Sequence, residues 1–194
     1  MADLIENYIY LYHLGKEGNF ILLPTYPQQI SDTLQANFSQ TNPLSRSAPI
    51  FSYSNSGPRT MQINLSLHRD MMSQLNYNLS DYNLSEYPGE DYVDRIIAEL
   101  QAIALPRYDD SLKMVNPPMV AIRFGNEIYI KGIVNGSVSV EYSGPILPNN
   151  KYALVNISFT VTEVDPYDAE TVAVSGSFRG LNKTLERRLY KNNK

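Results

Sequence analysis

The sequence predicts an α+β domain, predominantly antiparallel β, with one amphipathic helix packed on it. Three observations carry this. Apolar and aromatic residues alternate with polar ones along several short segments; Gly, Pro and Asn turns separate those segments; and only residues 90–105 show a helical period. The coarse tally is about eight strands to one substantial helix.

Residues 7–14 (NYIYLYHL) are apolar and aromatic, stop at Gly15-Lys16-Glu17-Gly18, and are followed by residues 19–23 (NFILL). Two short strands on a tight connection make a hairpin. Residues 24–47 are rich in Gln, Ser, Thr and Asn, and Pro24, Pro27 and Pro43 break any long helix there, leaving at most a short one around residues 30–36. From Ile50 the period is two. Phe51 and Tyr53 alternate with serines, Asn55-Ser56-Gly57-Pro58 turns the chain, and Met61, Ile63, Leu65 and Leu67 then alternate with Gln62, Asn64, Ser66 and His68. That is a long half-buried strand with an almost uncharged polar face, either solvated or packed against a strand of another subunit.

Residues 71–90 read as a loop, with the short echo Asn78-Leu79-Ser80 and Asn83-Leu84-Ser85. The helix follows. Val93, Ile96, Ile97, Leu100 and Ile103 lie on one face, Glu90, Asp91 and Asp94 sit where the helix dipole favours acids, and Pro106 stops it. Residues 118–124, 127–133, 137–142 and 152–164 are then four consecutive strands parted by Gly and Asn turns, expected as an antiparallel meander. Residues 165–168 form a turn, residues 171–177 one more short edge strand, and the basic end after Gly180 a helix or disordered arm. The expected division is one β domain over residues 1–178 and a C-terminal arm over 179–194.

Composition narrows the chemistry. Of 194 residues, 43 % are hydrophobic and 19 % charged, with 15 Tyr but no Trp and no Cys. No disulfide, thiolate metal site or cysteine nucleophile is available. The formal charge of −4 is uneven: Arg179, Lys183, Arg187, Arg188, Lys191 and Lys194 face Glu186 alone, so residues 179–194 carry +5 and the preceding body −9. An acidic body repels polyanions, which argues against a dedicated nucleic-acid binder. No targeting segment or run of roughly 18 apolar residues is visible, so the expectation is a soluble protein made in the cytoplasm. Asn-x-Ser triplets, as at Asn37, Asn64 and Asn156, reflect composition rather than glycosylation.

Catalytic signatures are absent from the sequence. His13 and His68 fall in predicted strands about fifty residues apart without companions at metal-ligand spacing. Asp109-Asp110 and the trio Asp165, Asp168 and Glu170 are explained by turn chemistry more simply than by acid catalysis or a bound cation. No catalytic, cofactor-binding or metal residue is assigned, and no cofactor is expected. Tyrosines in loops (Tyr77, Tyr82, Tyr87, Tyr92) suit interface packing. Long strands with unpaired edges are hazardous on a monomer and useful in a ring, where a neighbour completes the sheet.

The order of segments resembles the tube-adaptor, or tube-initiator, proteins of contractile phage tail baseplates and related contractile injection systems. The resemblance is carried by residues 57–68 (GPRTMQINLSLH), the amphipathic helix, and residues 116–125 (NPPMVAIRFG). Residues 128–134 (IYIKGIV), 138–142 (VSVEY), the Ser143-Gly144-Pro145 loop and the last long strand continue it. It spans roughly residues 50–165 and rests on ordered turns and strands.

The resemblance implies a tail-tube-like antiparallel β-barrel or sandwich with its helix outside. It implies a homo-oligomeric ring, sixfold, that connects the baseplate hub to the tail tube, with baseplate wedge proteins as further neighbours. It also implies a lumen through which DNA passes without specific binding, no membrane, and a place in the virion tail baseplate after assembly in the host cytoplasm. Arg59, Met61, Gln62, Ile63, Asn64, Leu65, Ser66 and Leu67 become the tube-lining or inter-subunit strand, and the six basic residues after 178 a docking arm. Family members often continue into a peptidoglycan-binding LysM module; this chain shows a basic tail instead, and cell-wall binding is not carried over. The competing reading is a carbohydrate-binding β-sandwich module of a receptor-binding or cell-surface protein. The position of the aromatics separates the two: a glycan binder needs exposed rings on one concave face, and a ring subunit spreads them over opposite lateral surfaces.

Overall fold

The computed structural model describes residues 7–12, 19–23, 27–70, 91–109, 114–116, 118–125, 128–164 and 168–175. In chain order the strands are β1 (Asn7–Tyr12), β2 (Asn19–Leu22), β3 (Gln29–Thr33), β4 (Ala36–Thr41), β5 (Ile50–Ser56) and β6 (Thr60–His68). Helix α1 (Tyr92–Ala102) follows. Then come β7 (Arg107–Asp109), β8 (Met114–Asn116), β9 (Met119–Phe124), β10 (Ile128–Val134), β11 (Ser139–Ile146) and β12 (Tyr152–Glu163), and the short helix α2 (Ala169–Ser175). The class is α+β, predominantly antiparallel β.

The main sheet runs β2-β1-β9-β10-β12-β6-β3, with β11 added beside β12. Among the described residues this path does not close into a barrel. Strand β12 organises it. One edge pairs along its length with β6, from Leu154 opposite His68 to Thr162 opposite Thr60. The other edge is shared, β11 pairing with its first part and β10 with residues 161–163. At that second junction the backbones meet closely: a Cβ on Gly132 would stand 2.0 Å from the Thr162 carbonyl oxygen.

Alternation along β6 does what the period of two requires. Met61, Ile63, Leu65 and Leu67 are buried, as are Ala153, Val155, Ile157, Phe159 and Val161 of β12. Helix α1 covers this apolar face with Tyr92, Val93, Ile96, Ile97 and Leu100, and these side chains join one buried cluster with Ile9, Leu23 and the inward residues of β9 and β10. The Asp91 carboxylate caps the helix by accepting from the Val93 N–H at 3.1 Å.

Several expectations are corrected. The polar stretch that was allowed at most a short helix around residues 30–36 instead holds β3 and β4. Its backbone is satisfied by β6 and β5, a pairing that a segment without apolar alternation does not advertise. The strands at residues 118–124, 127–133, 137–142 and 152–164 are not a simple meander, because β10 pairs with β12 rather than with β11. The edge strand expected over residues 171–177 gives way to a helix, since residues 171–175 belong to α2. Asp109 ends β7 rather than lying in a loop. The 71–90 loop, His13 and the 179–194 arm lie outside the described residues.

Candidate functional site

Strands β3 and β6 continue past the body as β4 and β5, held at the exit by the Gly57 N–H donating to the Gln35 carbonyl at 2.7 Å. The resulting two-stranded arm has almost all of its side chains exposed. Phe38 lies opposite Tyr53 and Gln40 opposite Phe51, so the rings share one face. The Phe38 and Tyr53 rings meet edge-on with centroids 5.5 Å apart, and the three aromatics are 58–62 % exposed. The other face is neutral, with Asn37 Nδ2 donating to Asn55 Oδ1 at 2.9 Å and Ser39 and Ser54 hydroxyls paired at 2.8 Å.

A second aromatic patch lies on the β11–β12 hairpin. Ile146 is the register partner of Tyr152, and the Tyr152 ring is 6.1 Å from that of Tyr142. These three residues are 44–64 % exposed. In the sheet order β11-β12-β6-β3 this patch and the arm occupy opposite flanks. They also occupy opposite ends, since the arm leaves beside Thr162 and the patch begins at Tyr152.

Between the flanks, the sheet face turned away from the core is polar and nearly uncharged. Gln29, Ser31 and Thr33 stand opposite Asn64, Gln62 and Thr60, which stand opposite Ser158, Thr160 and Thr162. Ser66 Oγ donates to Asn156 Oδ1 at 2.8 Å. Glu141 on β11 is the one carboxylate of this face among the described residues, and the His68 imidazole lies at its end.

Strand 59–67 thus divides by parity. Gln62, Asn64 and Ser66 belong to the polar face, whereas Met61, Ile63, Leu65 and Leu67 are core. Arg59 is buried on the core side. Its guanidinium donates to Asp32 and, at 3.1 Å, to the Tyr129 carbonyl, with the Glu163 carboxylate 3.5 Å away. Burial opposes its charge, and the Asp32 and then Glu163 carboxylates outweigh that, holding it protonated. This network fastens the base of the arm to β10 and β12. Sequence reading placed Arg59 with the lining residues and missed the ion pair, for which Asp32 offers no local signal.

A second charge cluster locks the opposite end. Arg69 pairs with Asp91 and, at 2.7 Å, with Asp94, while Lys151 from the β11–β12 turn pairs with Asp94. Burial disfavours the Asp94 carboxylate, but the hydrogen bonds from Arg69 and Lys151 overcome it and hold its pKa below the ordinary range. Tyr92, among the loop tyrosines by sequence, is buried as the first residue of α1, and burial pushes its phenol pKa upward. Tyr77, Tyr82 and Tyr87 lie outside the described residues. Among the described residues no group of three or more His, Asp or Glu is placed to hold a metal ion, and no helix is long and apolar enough to cross a membrane.

No family model matches the sequence, and no curated protein does. Among solved structures the chain is similar to one described as "Tail of empty GTA particle computed with helical refinement, C6 symmetry". The two share 11 % identity, with 87 % of this chain and 100 % of that chain covered, at a TM-score of 0.42.

Proposed function

We propose that the chain is a structural, non-enzymatic subunit of a phage-type tail, forming an adaptor or initiator ring between the baseplate hub and the tube of a contractile tail. The observation that carries this reading is the division of exposed rings between opposite flanks of one sheet: Phe38, Phe51 and Tyr53 on one, Tyr142 and Tyr152 on the other. A subunit with a neighbour on each side needs two such surfaces. A carbohydrate-binding module needs its rings together on one concave face, so the same division counts against that alternative.

The polar face fits a channel. Over β3, β6 and β12 it presents Ser, Thr, Asn and Gln side chains, which offer hydrogen bonds to water, with Lys131 of β10 as the neighbouring cation, too little positive charge to trap DNA. The resemblance of residues 50–165 to tube-adaptor proteins supplies the finer placement and the sixfold ring. The basic residues beyond 178 would dock on an acidic neighbour in the baseplate.

Electron microscopy of particles assembled with an epitope-tagged copy tests the reading. Label at the baseplate-proximal end of the tube is the expected result. Label on fibres, or none on particles, overturns it.

A further inference from the structure

We propose that the aromatic face of the β4–β5 arm in one copy seats on Tyr142, Ile146 and Tyr152 of a second copy, along the outer edge of β11. The inference rests on the assembly reading above and names the two surfaces that meet. A two-stranded ribbon exposed on both faces is marginal in water, and among the described residues β4 and β5 pair only with each other. The patch on β11–β12 is the complementary apolar surface on the same chain, and it lies where the arm of its own copy does not start, at the opposite flank and opposite end of the sheet.

Charge does not oppose the contact: residues 36–56 carry a single charged side chain, Arg46, near the tip of the arm, and Glu141, the neighbour of Tyr142, points to the other face of β11. Backbone geometry limits the contact. Gly144 adopts φ 89° and Pro145 has no N–H, so edge pairing with the arm would run over residues 139–143.

The size of the contact explains why it needs an assembly. Each aromatic buries roughly 150–250 Å² when covered. Five rings that are about half exposed therefore supply on the order of 500 Å², less than a specific interface needs by itself, so one contact is weak and a closed ring or helical row of them is stable. Because the two surfaces differ, the contact is heterologous and propagates rather than closing on a pair.

The absence of native cysteine makes the test direct. Copies carrying Phe51→Cys are mixed with copies carrying Ile146→Cys at high concentration and oxidised, and dimers are counted on a non-reducing gel. The expected result is a mixed dimer at least tenfold above either variant alone, reduced about tenfold by adding Phe38→Ser and Tyr53→Ser to the arm, with the melting temperature unchanged. Predominant Phe51→Cys homodimers, or a mixed dimer no more abundant than with a cysteine at the exposed helical position Ala98, overturn it. The two readings fail separately: tail labelling without the cross-link removes this contact alone, and the cross-link in a chain that never labels tails removes the tail placement alone.

Discussion

Arg59 and Asp32 form a two-pronged ion pair across the β3–β6 junction, with Nη2 2.7 Å from Oδ2 and Nε 2.9 Å from Oδ1. The Arg59 side chain is 4 % exposed and that of Asp32 is 45 % exposed. The pair is therefore lopsided, a buried cation reaching out to a half-solvated acid at the foot of the arm.

Removing the buried partner is expected to be the more damaging change. Arg59→Met takes away the cation facing both Asp32 and the buried Glu163 carboxylate, at a cost of roughly 3–5 kcal/mol. Asp32→Asn keeps a hydrogen-bond acceptor and leaves Glu163 opposite the guanidinium, costing about 1 kcal/mol. Urea unfolding of the two variants measures the order; equal losses would mean that Glu163 takes no share of the charge.

Acid should release the cluster at the start of α1. The Asp94 pKa is lower in the folded chain than in the unfolded one, so its contribution is present above the ordinary carboxylate value of about 4 and disappears as pH falls through the depressed folded value. Melting temperatures between pH 6 and pH 2 should show a shallower acid limb for Asp94→Asn than for the parent. Since Asp94 is 43 % exposed, the loss at neutral pH should stay near 0.5–1 kcal/mol. An unchanged acid limb would show that Asp94 does not report through Arg69 and Lys151.

Gly132→Ala should be among the most harmful single-methyl additions. The new Cβ meets backbone, the Thr162 carbonyl oxygen, rather than the yielding end of a side chain, and β10 would have to part from β12. A loss of about 3 kcal/mol or more is expected, at the upper end for overpacking. Insoluble protein, or a cooperative transition shifted to lower denaturant, is the expected observation, and a variant as stable as the parent would contradict the close approach of β10 to β12.

The two faces of β6 should respond differently to substitution. Leu65→Ala in the core is expected to cost about 2–5 kcal/mol, and Asn64→Ala within about 0.5 kcal/mol. Lysines at Asn64 and Ser158, neighbours in register on the polar face, should leave stability nearly unchanged. They should raise binding to a short DNA duplex at low salt above that of the parent, whose basic residues after 178 set the background, and the increment should vanish as salt rises. An increment of zero would count against an open polar lining at these positions.

The parts of the fold legible in the sequence were those whose environment is periodic. Residues 60–68 are apolar on one side and polar on the other, and alternation alone identifies the strand and its buried set. Helix α1 is legible in the same way, from Val93, Ile96, Ile97 and Leu100, with Asp91 at its cap. Strands β3 and β4 were not legible, because each carries a single large apolar residue, Ile30 against the core in β3 and Phe38 in the exposed arm in β4, too few to show a period. Residues 171–177 misled in the other direction: Thr171, Val172 and Val174 favour a strand, yet residues 171–175 lie in helix α2.

The candidate surfaces were legible only in part. Tyrosines were expected to mark interfaces, yet Tyr92 and Tyr129 are buried, while Phe51, marked only by alternation, and Phe38, marked by no pattern, stand in solvent. By itself the sequence determined the class, the long β6 strand, the helix that covers it and the near absence of charge on the strand's polar side. Tertiary structure alone decided that β12 shares one edge between β10 and β11, that Arg59 turns inward to Asp32, and that the exposed rings divide between two flanks. The reason is physical: periodicity is a local consequence of which face is wet, whereas pairing partners and flanks depend on residues far apart in the chain, about which no local pattern speaks.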